Sequence, residues 1–283
     1  MEFYLSFEQL LSRNMMAIFL PVFILVIVVE AVVILRQQGT YPWKNAGVSI
    51  CVTVGHVFSQ AAVHGLIFGI IAAAVYSIRL TTIPISSEHW WPLIPLFLLV
   101  DLCFYIEHRC SHRARLLWAS HSVHHSSEKM LATTAFRLPW TPILSGLVFF
   151  YLPLVWLGFE PVWVYGMVSA NLSYQFFVHT ELVPHVRWPE WLINTPSAHR
   201  VHHASNQEYL DKNFGGVLLI WDHLFGTYQA ERADIEIRYG LTHDRSSPYN
   251  PFVIAYEELW LTFKAVLRAG TLRERVWRLV GPP

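Results

Sequence analysis

The run MMAIFLPVFILVIVVEAVVIL, from Met15 to Leu35, is long enough to cross a bilayer hydrocarbon region of about 30 Å, and it constrains the fold more than any other stretch. Further apolar blocks follow at 48–78, 91–106, 139–157 and 161–178. The chain is 54% apolar and only 14% charged, against about 25% charged in soluble proteins, so the blocks read as lipid-embedded helices and not as one large soluble core. The expected fold is all-α, an integral membrane, multi-pass helical bundle. Tryptophan and tyrosine, twelve of each, suit interfacial belts. Twenty basic and twenty acidic residues, with no dense basic tract, give no sign of a nucleic-acid partner. Three scattered cysteines form neither a disulfide framework nor a thiolate metal site.

The second block, Val48 to Ile78, makes about 46 Å if helical throughout, so a single tilted or projecting span is expected. His56 and His64 on it read as packing or channel residues. Glu30, inside the first block, reads as a packing or interfacial carboxylate, with a functional role as the alternative. The blocks at 139–157 and 161–178, parted by Gly158, Phe159 and Glu160, read as a membrane hairpin. Arg36 and Lys44 after the first span, and Arg109, Arg113, Arg115, Lys129 and Arg137 after the third, put both loops on the cytoplasmic side. The N-terminus lacks the charged start and cleavage site of a secretory signal, so its apolar segment is expected to be retained. Residues 180–247, polar and rich in turns, read as a folded cytoplasmic cap. Pro251 to Val280 reads as an amphipathic interfacial helix broken near Gly270. The expected organisation is amino-terminal spans over 1–90, a catalytic region over 91–230, and a cytoplasmic or interfacial tail over 231–283.

The third span runs into YIEHRCSHRARLLWASHSVHH, which sets His108, His112, His121, His124 and His125 within 18 positions. On helices, His108 and His112 share a face, as do His121 and His125, with His124 on the same side. The HxxHH spacing returns at His199, His202 and His203. Imidazoles so presented are natural ligands for iron or zinc, and eight exceed what one four-coordinate ion needs. The hairpin's return arm carries His179 to the same face. Asp101, seven residues before His108, is placed to orient a histidine, organise polar packing or cap a local network.

The motifs EHRCSH, HSVHHSSE, FFVHTE, LINTPSAHRVHH, DKNFGG and WDHLFGT resemble the fatty acid hydroxylase and sterol desaturase superfamily, especially its alkylglycerol monooxygenase-like and bacterial sterol desaturase-like branches. The resemblance covers residues 95 to 230 and implies a non-haem centre of two iron ions above a helical membrane bundle, where dioxygen is activated against a lipid C–H bond. Its implied metal-binding and catalytic residues are His108, His112, His121, His124, His125, His179, His199, His202 and His203. His185 and His223 read as supporting or surface residues. Asp211 and Asp222 are candidates to accept the free ring N–H of a liganding histidine, with turn capping as the competing role. Glu128 is open to the same alternatives, and Asn194 reads as a turn residue.

The implied function is hydroxylation of an aliphatic C–H bond in a lipid (fatty acyl, alkylglycerol or sterol-like), with desaturation on the same site as the alternative. No fused cytochrome domain or nucleotide-binding glycine motif stands in the sequence, so electrons are expected from a separate donor. The alkylglycerol monooxygenase branch implies tetrahydrobiopterin as external reductant; other branches use a redox chain. A zinc-dependent membrane hydrolase with Glu128 as base leaves too many histidines without a role, since a catalytic zinc normally takes three protein ligands. A non-enzymatic metal- or lipid-binding membrane protein is the remaining rival.

Overall fold

The computed structural model describes residues 15–59, 65–141, 146–186 and 188–283. Among these residues there are eleven α-helices and no strand beyond the isolated bridges Ile193–Leu218 and Ala204–Tyr239, so the all-α expectation holds. The polar lead at 1–13 lies outside the described residues.

Helix α1, Met15–Gln38, buries Phe23, Glu30, Ala31 and Ile34, which recur at helical spacing on one face. Its remaining faces expose Leu20, Ile24, Leu25, Val28, Val29 and Val32. Phe23 packs on Phe176 with ring centroids 4.2 Å apart. Glu30 is a packing link: its carboxylate accepts from Ala132 N at 2.8 Å and from Thr180 Oγ1 at 2.7 Å. Among the described residues, α1 is the one helix long and apolar enough by itself to cross a membrane, over Ile18–Gln38.

The single-span expectation for the second apolar block turns on residues 60–64, which lie outside the described residues; to either side of them stand α2, Trp43–Ser59, and α3, Gly65–Ser77. The halves serve different neighbours. On α2, Thr53 Oγ1 donates to Phe136 O at 2.8 Å, His56 Nδ1 bonds Pro139 O at 2.7 Å, and Val52 O accepts from Trp140 Nε1 at 2.8 Å. Helix α3 instead packs on the hairpin. Gln60 and His64 lie outside the described residues.

Helix α4, Leu93–Arg113, forms over the block expected as the third span. Its Leu96 and Val100 meet Leu154, Val155, Trp163 and Val164 of the hairpin in the largest apolar cluster. Of the hairpin's first arm the described part is a 3-10 turn at Leu147–Tyr151 and the six-residue α5, Leu152–Leu157, and its second arm is α6, Pro161–Phe176. Gly158 makes the turn at φ 123°, and a Cβ there would collide with the Thr81 backbone.

Helix α4 ends at Ala114, a single extended residue (φ −116°, ψ 121°), and the chain turns into α7, Arg115–His125. The cap follows with α8, Pro196–His202, and α9, Ile220–Phe225, over a small core of Val201, Ala204 and Tyr209 packed by Ile235 and Ile237. Helices α10, Pro251–Arg268, and α11, Leu272–Val280, part at Ala269–Thr271, where the tail was expected to break. Helix α10 lies along α7 and α2.

One charge used for orientation is not a loop charge. Arg137 is buried and donates to Ser49 Oγ at 3.0 Å, Ser126 Oγ at 2.8 Å and Asn45 O at 3.5 Å, so it ties α2 to the end of α7.

Candidate metal centre

Four segments converge. The last turns of α4 carry His108 and His112, and the one-residue corner folds α7 back so that His121, His124 and His125 face them. His179 follows α6, its amide donating to Phe176 O. Thr195 caps α8 by accepting from Ala198 N, with Pro196 at the first helical position, a favourable start that fixes His199, His202 and His203.

The nine histidines form two nests. His108, His112, His121, His125 and His202 make one, and His124, His179, His199 and His203 the other, with the candidate ligand atoms of each nest within 4.8 Å of one another. Each HxxHH motif is shared out between them. Residues four apart point one way, so His121 and His125 enter the first nest and His199 and His203 the second. The middle histidine of each motif crosses over, about 100° round the helix from its sequence neighbour. The nests therefore touch: the rings of His125 and His203 stack at 4.4 Å.

The protons can be assigned. A carbonyl only accepts, so His108 Nδ1 donates to Phe214 O at 2.8 Å, His179 Nδ1 to Gln175 O at 2.6 Å, and His202 Nδ1 to Lys212 O at 2.9 Å. Burial pushes the imidazoliums of His179 and His202 down to about 4. The same cause, with neighbouring imidazoles adding to it, holds His121, His124, His125, His199 and His203 well below the usual range. Neutral rings that spend their proton on Nδ1 present a bare Nε2.

The Nε2 atoms of the nests crowd together. His179 Nε2 lies 2.9 Å from His199 Nε2 and 3.1 Å from His124 Nε2; His108 Nε2 lies 2.9 Å from His121 Nε2, which is 3.1 Å from His125 Nε2. His112 Nε2 and His199 Nδ1 are buried with no hydrogen-bond partner. One proton per neutral ring cannot satisfy this many converging lone pairs, whereas a cation in each nest would. The donor set, neutral imidazole throughout, fits first-row transition metals.

The carbonyl partners sit on loops held by acids. Asp222, fully buried, accepts from Phe214 N at 2.8 Å, Gly215 N at 2.7 Å and Thr227 Oγ1 at 2.6 Å, and so fixes the carbonyl that orients His108. It touches no histidine; the turn role expected as its alternative is the one it plays. Asp211 comes no closer than 3.8 Å to His112 Nδ1 and pairs with Arg113 at 3.1 Å. Asp101 likewise organises polar packing, accepting from Val217 N, Leu218 N, Trp221 Nε1 and Asn171 Nδ2. Asn194 Nδ2 donates to the carbonyls of Gly215 and Gly216. A Cβ on Gly216 would collide with Asn171 and Phe104, which is why the segment needs glycine there.

His223 Nε2 bonds the backbone carbonyl of Glu190 at 2.9 Å and His185 Nε2 lies 3.7 Å from the Glu190 carboxylate, so neither joins a nest. Glu128 is exposed and accepts from Tyr249 OH at 3.3 Å. Glu190 was not singled out from the sequence. Buried, it accepts from Thr195, Ser197 and Tyr228 and anchors the start of α8. No local pattern marks it.

The sequence model of the fatty acid hydroxylase family matches residues 93–227, from the start of α4 to just beyond α9, and takes in all nine histidines. Human alkylglycerol monooxygenase is 36% identical over 254 residues, 87% of this chain and 55% of that protein. The Danio rerio alkylglycerol monooxygenase is 40% identical over 200 residues, 68% of this chain and 42% of that one. An ornithine lipid hydroxylase of Rhizobium tropici is 26% identical over 193 residues, 65% of this chain and 54% of that one. The chain spans about half the length of these relatives. No solved structure matches it.

Proposed function

The chain belongs to the fatty acid hydroxylase and sterol desaturase superfamily, and from that membership and the paired nests we propose that it is a membrane-bound oxidoreductase hydroxylating an aliphatic C–H bond of a lipid. The observation that carries the reading is the set of nine histidines, six of them buried and three half-buried, divided between two touching nests. Iron held by both nests would supply the oxidising power, dioxygen entering with two electrons and two protons to leave one oxygen atom in the product and one in water.

The residues proposed as ligands, and as catalytic on that account, are His108, His112, His121, His125 and His202 for one ion and His124, His179, His199 and His203 for the other. Phe214 O, Gln175 O and Lys212 O hold three rings in the tautomer that leaves Nε2 free to bind. Burial keeps the rings neutral and excludes bulk water.

The exposed aliphatic surface of α1 would be costly in water and is suited to lipid. With α2 to α6 it forms the proposed embedded body of a multi-pass bundle, the nests facing the cytoplasm and the catalytic region running over about 91–230. The substrate proposed is a long-chain lipid reaching the nests from the bilayer, with electrons from a separate donor for which tetrahydrobiopterin is the first candidate. Hydroxylation is favoured over desaturation because the relatives are named as a monooxygenase and a hydroxylase.

The test is to load the purified chain with iron, add reductant, and follow a lipid extract under labelled dioxygen by mass spectrometry. A product carrying one labelled oxygen is expected. An unlabelled product two mass units lighter would make it a desaturase, and no oxygen-dependent product would contradict both.

A further inference from the structure

Helix α10 has its amphipathicity inside out. The face it turns to α7 and α2 contains Ile254 and Ala255 but also Glu258 and Thr262, all buried. The opposite face, within about 80° of arc, exposes Phe252, Tyr256, Trp260, Phe263 and Leu267. Water is a poor solvent for that stripe.

The stripe is continuous with a surface assigned to lipid. Phe252 and Tyr256 meet the ring of Trp140 edge-on at 5.4 and 5.6 Å, and Trp140 lies against α2 at Val52 and Gly55. Helix α2 beyond this contact exposes Val54, Val57 and Phe58. At the other end α11 buries no residue, and Leu272 (77% exposed), Val276, Trp277 (62%) and Val280 lie open.

Cations rim this surface. Lys264 Nζ sits 4.9 Å from the Trp260 ring centroid, at the edge of the stripe. Arg268 and Arg278 line a cleft between α10 and α11 together with Glu274, whose carboxylate is occupied by Gly270 N and Thr271 N. Arg273 and Arg275 are exposed beside them. An apolar stripe bordered by lysine and arginine matches a leaflet whose headgroups carry negative charge.

We propose that α10 and α11 lie in the membrane interface as a docking surface for anionic phospholipid, with Phe252, Trp260, Phe263, Leu272 and Trp277 in the acyl boundary and Lys264, Arg268, Arg273 and Arg278 on the phosphates. The surface holds α7, and with it three histidines of the nests, at the level of the headgroups. The proposal rests on the bundle being embedded in lipid, not on its oxidising one.

The full chain is placed in nanodiscs of phosphatidylcholine alone and of phosphatidylcholine with phosphatidylglycerol, and amide hydrogen exchange is followed over 272–280. Exchange should be roughly tenfold slower with phosphatidylglycerol. The difference should vanish in the Arg268→Glu, Arg273→Glu, Arg278→Glu variant, with the fold and iron content unchanged. Equal exchange in both discs, or indifference to the charge reversal, would overturn the proposal. Protection in lipid-free detergent that grows with protein concentration would mean that a second copy covers the face, and would overturn it too. None of these readouts depends on lipid oxidation, so failure here leaves the proposed activity standing and the reverse.

Discussion

At the scale of single residues, the division of the histidines has a chemical consequence. One nest offers five imidazoles and the other four, so losing one donor leaves the first with a tetrahedral complement and the second without one. Metal analysis of His203→Ala should therefore show one ion lost, whereas His121→Ala should retain both with weaker binding; equal losses would contradict the allocation. Asp222 acts one step removed, through the Phe214 carbonyl. Asp222→Ala strands two buried amides, each costing about 1–3 kcal/mol. It should also weaken metal affinity by about 10- to 100-fold in chelator competition, as loss of a ligand's orienting partner does. The clustering of the histidines was legible in the sequence because spacings of three and four residues on a helix are local. Their allocation was not, because it depends on how α4, α7 and α8 face one another. Nor were the carbonyls of Gln175, Lys212 and Phe214, since a backbone oxygen leaves no mark on residue identity.

At the scale of elements, the sequence indicated α1, α4 and the hairpin well, because a long apolar run or a Gly-Phe-Glu interruption is itself the signal. For the second block it offered no sign that α2 and α3 pack on different neighbours. The glycine loop between α8 and α9 was recognisable as DKNFGG, yet its purpose needed Asp101, more than a hundred residues away, which accepts from Val217 N and Leu218 N. Gly216→Ala should force Asn171 and Phe104 apart and lower thermal stability by about 1–3 kcal/mol. An unchanged melting temperature would show that the loop has slack.

At the scale of the whole molecule, a cage of neutral histidines makes the metal-free protein acid-sensitive. Their folded pKa values are depressed, so above about pH 6.5 folding leaves their protonation unchanged and stability is fully present. As pH falls toward about 4, where His179 and His202 titrate in the folded chain, the unfolded chain binds protons that the folded chain refuses. Each such residue removes about 1.4 kcal/mol of stability per pH unit in that window. The melting temperature of the metal-free protein should fall steeply below pH 6.5, and metal should shift the fall to lower pH because it competes with protons for the same nitrogens. A flat profile would mean that the rings are not held neutral. The two nests are proposed to form one two-iron centre with unequal coordination. Mössbauer spectroscopy of the full chain loaded anaerobically with iron-57 addresses it most directly: two ferrous signals of equal area and different coordination are predicted, and a single iron per chain, or two indistinguishable ones, would contradict it.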